Sequence, residues 1–207
     1  MRVLVACEES QAVTKEFRRL GHEAYSCDVV PCSGGHPEWH LQQDVLPLLT
    51  EHWDMIIAFP PCTYMSNAGA CRMYPRKGQV DEERFAKAMK AKEFFMAFYN
   101  ADCERICIEN PMPLSIVGLP EKTQVIQPYQ FGHPFTKKTY LWLKGLPNLI
   151  PTEIVEPVGP YVCGNSKIWK RQAANGVVYG KEKSPTHRSK TFPGVARAMS
   201  EQWGTLL

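Results

Sequence analysis

The sequence predicts an α/β fold with a doubly wound, mostly parallel β-sheet that carries helices on both faces. Two observations support this prediction. Short apolar runs rich in β-branched residues recur within residues 1–143, as the buried strands of a parallel sheet do. Stretches with helical spacing lie between several of these runs, and this alternation is typical of βαβ units. The length of 207 residues favours one domain.

The first unit is a strand, a turn and a helix. The run RVLVA at residues 2–6 predicts a buried strand. A helix follows, with Ser10 as its predicted N-cap and Gly21 at its C-terminal end, where a left-handed conformation is favoured. Its apolar face is formed by Val13, Phe17 and Leu20.

Four further strands are predicted from apolar runs at residues 23–27, 53–59, 106–110 and 139–143. Asp81 is placed to cap a long helix before the fourth strand. The apolar face of that helix comprises Phe85, Ala88, Met89, Phe95 and Tyr99. We therefore expect a Rossmann-like core.

The part after the core has weaker patterns. Residues 144–190 are first rich in proline and then basic, which predicts loops with a short strand at 176–179. A terminal helix is predicted at 194–203, within a closing segment at 191–207. We interpret the whole chain, residues 1–207, as a single domain.

The predicted topology gathers polar side chains at one edge of the sheet. In open parallel sheets, ligands bind outside the carboxyl ends of the strands. The polar residues that close the predicted strands are Cys7, Glu8, Asp28, Cys62, Glu109 and Asn110. This edge is therefore the predicted functional site.

The composition predicts a folded, soluble protein, with 44% hydrophobic and 22% charged residues and a mean hydropathy of -0.30. No run approaches the roughly 20 apolar residues that a membrane helix needs. Eight cysteines without a recognisable secretion signal predict reduced thiols, so we expect a cytoplasmic protein. Among them, Cys7, Cys27, Cys103 and Cys107 lie in or beside apolar runs and are expected in the core.

Positive charge is concentrated near the end of the sequence. The net charge is +3, but residues 160–207 contain eight Lys or Arg residues against only Glu182 and Glu201. The basic segment at 160–190 is a candidate surface for a polyanion, while a solvated loop is the alternative. Trp169 lies among these cations, where it could stack on a base or pack on the protein.

The segment AFPPCTYMS places Cys62 just after a predicted strand and two prolines. Methyltransferases that act on amino groups have a polar residue before the prolines and an aromatic residue after them. Here these positions hold Phe59 and Cys62, so that interpretation is excluded.

Several motifs resemble those of the cytosine C5 DNA methyltransferase family in order and spacing. FPPCTYMS is similar to the nucleophile loop, with Ser66 four residues after the cysteine, and IENP is similar to the ENV motif. TKKTYLWL, with Lys137 and Lys138, takes the place of the basic motif. RSKTFPGVARAMSEQWG resembles the last motif. The resemblance is closer still to short phage and prophage proteins of this kind.

The resemblance implies transfer of a methyl group from S-adenosylmethionine to carbon 5 of cytosine in DNA. Cys62 takes the place of the nucleophile, Glu109 that of the acid at N3, and Lys137 that of a phosphate or substrate contact. The cofactor is expected at the first turn and beside two acidic residues. The residues assigned to it are Cys7, Glu8, Ser10, Asp28, Asp44 and Pro60.

Two departures from the family affect these expectations. The turn ACEESQAV lacks the usual glycines of the cofactor loop. Only about forty residues separate the basic motif from the last motif, so the large recognition domain is missing. DNA recognition is then reduced, supplied by residues 160–190, or provided by a protein partner.

Three alternatives stay open at this point. The substrate could be a free pyrimidine nucleotide, or the protein could bind nucleic acid without catalysis. A zinc site is the third, since Cys27, Cys32, His36 and His40 form a string of potential ligands. Their spacing differs from the usual zinc patterns, so we do not favour it.

Overall fold

The computed structural model describes residues 1–161 and 190–206. The predicted strand at 176–179, Trp169 and nearly all of the basic segment lie outside the described residues. Within the described part, no helix has the length and apolar character needed to span a membrane.

The described residues form a large sheet, a small sheet and flanking helices. The strands are β1 (Arg2–Ala6), β2 (Glu23–Asp28), β3 (His40–Gln42), β4 (Met55–Ala58), β5 (Ile106–Pro111), β6 (Gln124–Ile126), β7 (Phe135–Thr136), β8 (Thr139–Lys144) and β9 (Gly159–Pro160). The helices are α1 (Ala12–Arg19), α2 (Ala70–Met73), α3 (Glu82–Tyr99) and α4 (Pro193–Trp203).

The large sheet has the strand order β3-β2-β1-β4-β5-β8-β6. The five strands from β3 to β5 pair in parallel, and β8 is antiparallel to both β5 and β6. The chain therefore winds outward from β1 in both directions. The prediction of a doubly wound, mostly parallel α/β sheet is confirmed.

Side chains alternate between two apolar layers, as the pleat of a strand requires. From β1, Leu4 points into the layer that contains α3, and Val5 points into the layer that contains α1 and α4. Both layers are closed by large buried side chains, such as Phe95 in the first and Trp203 in the second. Burial on both faces explains why the central strands are almost continuously apolar.

The sequence predictions for the first helix need two corrections. Leu20, which the spacing placed on the apolar face, lies just after the end of the helix and is 38% exposed. Gly21 adopts a positive φ of 83°, as expected of a residue just after a helix. Ser10 is not the N-cap: that position is Gln11, which makes no capping hydrogen bond with its side chain. The carboxylate of Glu8 instead accepts hydrogen bonds from the amides of Val13 and Thr14 at 2.6 and 3.2 Å.

The long helix is confirmed with a small shift of its apolar face. Asp81 caps α3 by accepting a hydrogen bond from the amide of Arg84 at 2.8 Å. Phe98 is fully buried, whereas Tyr99, which the spacing placed on the apolar face, is 41% exposed. A helix of 3.6 residues per turn brings Phe98 and Phe95 onto one face, three residues apart.

The C-terminal helix α4 is confirmed and packs beside α1 on one face of the sheet. Trp203 is buried, and its indole N–H donates to the carbonyl of Pro147 at 3.0 Å. At the other end, Gly194 lies so close to the carbonyl of Phe131 that no side chain would fit. This packing brings the start of α4 to the carboxyl edge of the large sheet.

Candidate active site at the carboxyl edge of the sheet

Cys62 lies in a tight turn that follows β4. Its carbonyl accepts hydrogen bonds from the amides of Met65 and Ser66 at 3.1 and 2.9 Å. Pro60 is buried and Cys62 is half-buried, so the thiol is held at the surface of the sheet edge by a fixed backbone. Ser66 has a structural role here, because its backbone amide donates the hydrogen bond that closes the turn.

Glu109 extends the row of side chains that face α4. Along β5, Ile106 and Ile108 point to the α3 layer, whereas Cys107 belongs to the opposite layer. Alternation places Glu109 on the same side as Cys107, one pleat nearer the carboxyl edge. There it lines a small pocket whose other residues are Phe59, Ile126, Pro128, Lys137, Thr139, Thr191, Phe192, Val195 and Met199.

Cys62, Glu109 and Lys137 share one electrostatic environment. Burial raises the pKa of the Cys62 thiol, the charge of Glu109 raises it further, and Lys137 lowers it. Burial also raises the pKa of Glu109, which Lys137 partly offsets. Glu109 and Lys137, predicted from separate motifs, are therefore close enough to Cys62 for their charges to alter the ionisation of its thiol.

Asn110 connects the strand of Glu109 to the turn of Cys62. Its side chain is fully buried, and Nδ2 donates to the carbonyl oxygen of Pro60 at 3.3 Å. Its Oδ1 is buried without a hydrogen-bond partner in the described structure. The sequence placed Asn110 at the edge but did not indicate this link, which only the pairing of β4 with β5 creates.

Lys137 is positioned by groups from two other parts of the chain. Its amide donates to Oε1 of Gln127 at 2.8 Å, and its Nζ lies 5.9 Å from the centre of the Phe192 ring. Phe192 itself packs against Tyr161 and His133, at ring-centre distances of 4.7 and 5.1 Å. Phe192 was not among the predicted site residues, because its distance in sequence from Lys137 hides the contact.

The turn after β1 has an unusual backbone for its sequence. Cys7 and Gln11 both adopt positive φ angles, 58° and 56°, where glycine is normally favoured. The turn thus has the left-handed conformations that glycine would supply, although it contains no glycine. Non-glycine residues in such conformations are concentrated at functional sites.

Glu8 does not contribute to the open edge. It is 4% exposed, and in addition to the two amides of α1 its carboxylate accepts a hydrogen bond from the Thr14 hydroxyl at 2.7 Å. The structure therefore places it inside, as the cap of α1. Ser10 is half-buried, with its Oγ 3.4 Å from the amide of Ala12.

Asp28 and Asp44 lie at the carboxyl edge near Cys7. Burial and the charges of both aspartates raise the pKa of the Cys7 thiol, so the three side chains are neighbours. One carboxylate oxygen of Asp28 accepts a hydrogen bond from the amide of Val30, and one of Asp44 accepts a hydrogen bond from the amide of Leu46, so each closes a local turn. The second oxygen of each has no hydrogen bond to the described residues.

This part of the edge has the character that a nucleoside requires. Two carboxylates can accept hydrogen bonds from hydroxyl groups, and the side chain of Val29 beside Asp28 is 70% exposed and offers apolar contact. The residues that lie here therefore fit a cofactor with a ribose and a base.

The loop that contains Ser33 and His36 covers the first turn. Gln11 is fully buried and binds the backbone of His36 twice, with Nε2 to the carbonyl at 2.8 Å and the amide to Oε1 at 3.1 Å. Lys190, the last residue of the basic segment, donates to the hydroxyl of Ser33 at 3.1 Å. Its ammonium lies 3.7 Å from the carboxylate of Glu9.

The cysteine and histidine string has other partners. His40 contacts the Ser26 hydroxyl at 2.8 Å and the carbonyl of Val30 at 2.9 Å, and His36 stacks on Trp39 with ring centres 3.9 Å apart. Among residues 1–161 and 190–206, no group of three or more His, Cys, Asp and Glu side chains is arranged to hold a metal ion.

The fold of this chain is similar to folds among the solved structures. No family model and no curated protein matches the chain. One similar solved structure is that of a candidate DNA modification methyltransferase encoded within a prophage of E. coli, with 15% sequence identity and a TM-score of 0.45. The likeness covers 75% of this chain and 52% of the other, so the chain spans about half the length of that protein.

Proposed function

We propose that this protein transfers a methyl group from S-adenosylmethionine to carbon 5 of cytosine in DNA. The observation that carries the proposal is the shared environment of Cys62, Glu109 and Lys137 at one sheet edge. A thiol, a carboxyl group with a raised pKa and an ammonium group are the set that this reaction needs.

Cys62 supplies the nucleophile. Carbon 5 of cytosine is too electron-poor to accept a methyl group directly, so a thiolate must first add to carbon 6. The thiol is half-buried in a closed turn, which holds its sulfur in a fixed position relative to a bound base. After carbon 5 has taken the methyl group, a base or water removes the proton from carbon 5, and the bond between sulfur and carbon 6 breaks so that the thiolate leaves.

Glu109 supplies a proton at N3 of the base. Its raised pKa favours the protonated form, and a neutral carboxyl group can donate a hydrogen bond to a ring nitrogen. As negative charge develops on the ring during thiol addition, this donation neutralises it. Lys137 lowers the pKa of Cys62 and so favours the thiolate form of the nucleophile.

Cys7, Asp28, Asp44 and the buried Pro60 line the part of the edge where the cofactor would bind. When bound, S-adenosylmethionine supplies an electrophilic methyl group on sulfur. The exposed Val29 side chain offers an apolar contact to adenine, and the open oxygens of the two aspartates can accept from ribose hydroxyls. In a duplex, the target cytosine must leave the stack to reach Cys62.

A trapping experiment tests the proposal. The full chain is incubated with S-adenosylmethionine and a duplex that contains 5-fluorocytosine, whose fluorine cannot leave as a proton does. We expect a denaturation-resistant adduct that peptide mass spectrometry assigns to Cys62. Cys71→Ala is the matched control, because Cys71 is an exposed cysteine nine residues further on, and it should still form the adduct, whereas Cys62→Ala should not.

The other outcomes distinguish the alternatives. An adduct with a free fluorinated cytosine nucleotide but none with the duplex would identify a nucleotide-modifying enzyme. Failure to form any adduct, together with no calorimetric binding of S-adenosylmethionine, would favour a non-catalytic nucleic-acid-binding protein and refute the proposal.

A further inference from the structure

The segment that follows the Cys62 turn is rich in positive charge. Residues 67–80 contain Arg72, Arg76 and Lys77 and no acidic residue. All three cationic side chains are exposed, and within the described part of the chain none of them forms an ion pair. Their charges are therefore available to an outside partner.

This segment is fixed at both ends. At its start, the amide of Asn67 donates to the carbonyl of Met112 at 2.8 Å. At its end, the amide of Asp81 donates to the carbonyl of Met73 at 2.9 Å, and the Met73 side chain is fully buried in the core. A buried anchor beside exposed cations gives the segment an inner apolar side and an outer charged side.

A second contact joins the segment to the Cys62 turn. Arg84 donates from Nη2 to the carbonyl of Thr63 at 2.8 Å, and its guanidinium lies 5.2 Å from the centre of the Tyr64 ring. Gly69 packs against the same guanidinium. The positively charged segment therefore begins directly beside the turn that carries Cys62.

Three acidic residues, Asp81, Glu82 and Glu83, follow this segment directly in the sequence, and Glu82 and Glu83 are exposed. Glu83 pairs with Lys87, and Asp81 is engaged as the cap of α3. Tyr74, which is 37% exposed, lies between Arg72 and Arg76 in sequence. Exposed cations interspersed with an aromatic ring are typical of surfaces that bind a nucleic-acid backbone.

We propose that Arg72, Arg76 and Lys77 bind phosphates of the DNA strand that carries the target cytosine. The inference rests on the proposed function for the identity of the substrate, and it adds a surface that residues 160–190 do not include. Contacts of this kind set position and carry no sequence information. They provide affinity for a duplex next to the reactive turn.

Salt dependence of binding tests the inference. Binding of the full chain to a fluorescein-labelled duplex is measured by anisotropy over a series of salt concentrations. Each lost phosphate contact should reduce the slope of log K against log salt by about 0.9. For the variant Arg72→Gln/Arg76→Gln/Lys77→Gln, the magnitude of the slope should therefore fall by about 3. The fall should be the same on duplexes with and without cytosine.

The control removes the same number of cations from the opposite layer of the fold. Lys15→Gln/Arg19→Gln/Arg197→Gln alters exposed cations on α1 and α4, of which Arg19 pairs with Glu16 and Glu201. Its slope should change by less than one contact. An unchanged slope in the first variant, an equal loss in both variants, or no binding by the unaltered chain would overturn the inference. Circular dichroism checks that each variant is folded. The single variant Arg76→Gln is a milder change that keeps the test valid if the triple variant misfolds.

The two proposals can fail separately. A loss of slope without any 5-fluorocytosine adduct would support the binding surface and refute the reaction. An adduct at Cys62 with an unchanged slope would support the reaction and refute this surface.

Discussion

The side chain of Asn110 donates a hydrogen bond to the backbone carbonyl of Pro60, with Nδ2 3.3 Å from the oxygen. Asn110 follows Glu109 on β5, and Pro60 stands two residues before Cys62. This buried contact therefore links the turn that carries the thiol to the strand that carries the carboxyl group of the proposed reaction.

We expect Asn110→Ala to lower both stability and activity. It leaves the buried Pro60 carbonyl without a donor, which costs about 1–3 kcal/mol of unfolding free energy. Chemical denaturation measures this loss, and the exposed Asn148→Ala serves as the control with little expected change. Adduct formation should fall further than stability alone explains. Equal denaturation midpoints for the two variants would argue against the contact.

The ionisation of Cys62 should respond to its two charged neighbours in opposite directions. Glu109 raises the pKa of the thiol, so Glu109→Gln should lower it; Lys137 lowers that pKa, so Lys137→Met should raise it. The measurement is the rate of iodoacetamide labelling of the Cys62 peptide against pH. Its midpoint should move to lower pH in the first variant and to higher pH in the second.

The outer cysteine Cys71 provides the internal reference for that titration. It is exposed, so its labelling profile should be the same in all three proteins. Midpoints for Cys62 that do not move, or that move together, would show that the three groups do not share one site.

Glu8 should act through stability and not through ligand binding. Glu8→Ala removes the acceptor of three buried donors at the start of α1, and we expect a loss of about 1–3 kcal/mol in unfolding free energy. Glu23→Ala, which removes an exposed carboxylate, is the control. A Glu8→Ala protein with normal stability but weakened S-adenosylmethionine binding would contradict this assignment.

Gly194 should tolerate no side chain. A Cβ there would overlap the backbone carbonyl of Phe131, which cannot move freely, so Gly194→Ala should displace the start of α4 and lower the melting temperature. At Gly69 the group in the way is the end of the flexible Arg84 side chain, so Gly69→Ala should cost much less. The difference between the two melting temperatures is the test.

Patterns within single elements predicted the core of the fold. The parallel strands β1, β2, β4 and β5 were visible because burial on both faces makes them continuously apolar. Strands β3 and β6 were missed, since three residues give too little pattern and β3 lies in a segment with glycine and proline. The antiparallel direction of β8 depends on pairing that no local signal specifies.

The residues of the candidate site also differ in whether a local pattern predicted them. Cys62, Glu109 and Lys137 were found through motifs, because each stands at a strand end or just before a strand. The contact between the Phe192 ring and Lys137 could not be predicted, since it depends on how α4 packs against the sheet. Glu8 was assigned to the cofactor because it follows β1, but its direction into the protein is set by the backbone of the turn.

The pocket around Glu109 also has a consequence for biosynthesis. Its walls come from Phe59 on one side and from Val195 and Met199 on the other. Translation proceeds at roughly 5–20 residues per second, so the ribosome adds the intervening stretch in on the order of 10 s. During that interval Glu109 is on the nascent chain without the part of this wall that α4 supplies, so the burial that raises its pKa is complete only after the last helix has been synthesised.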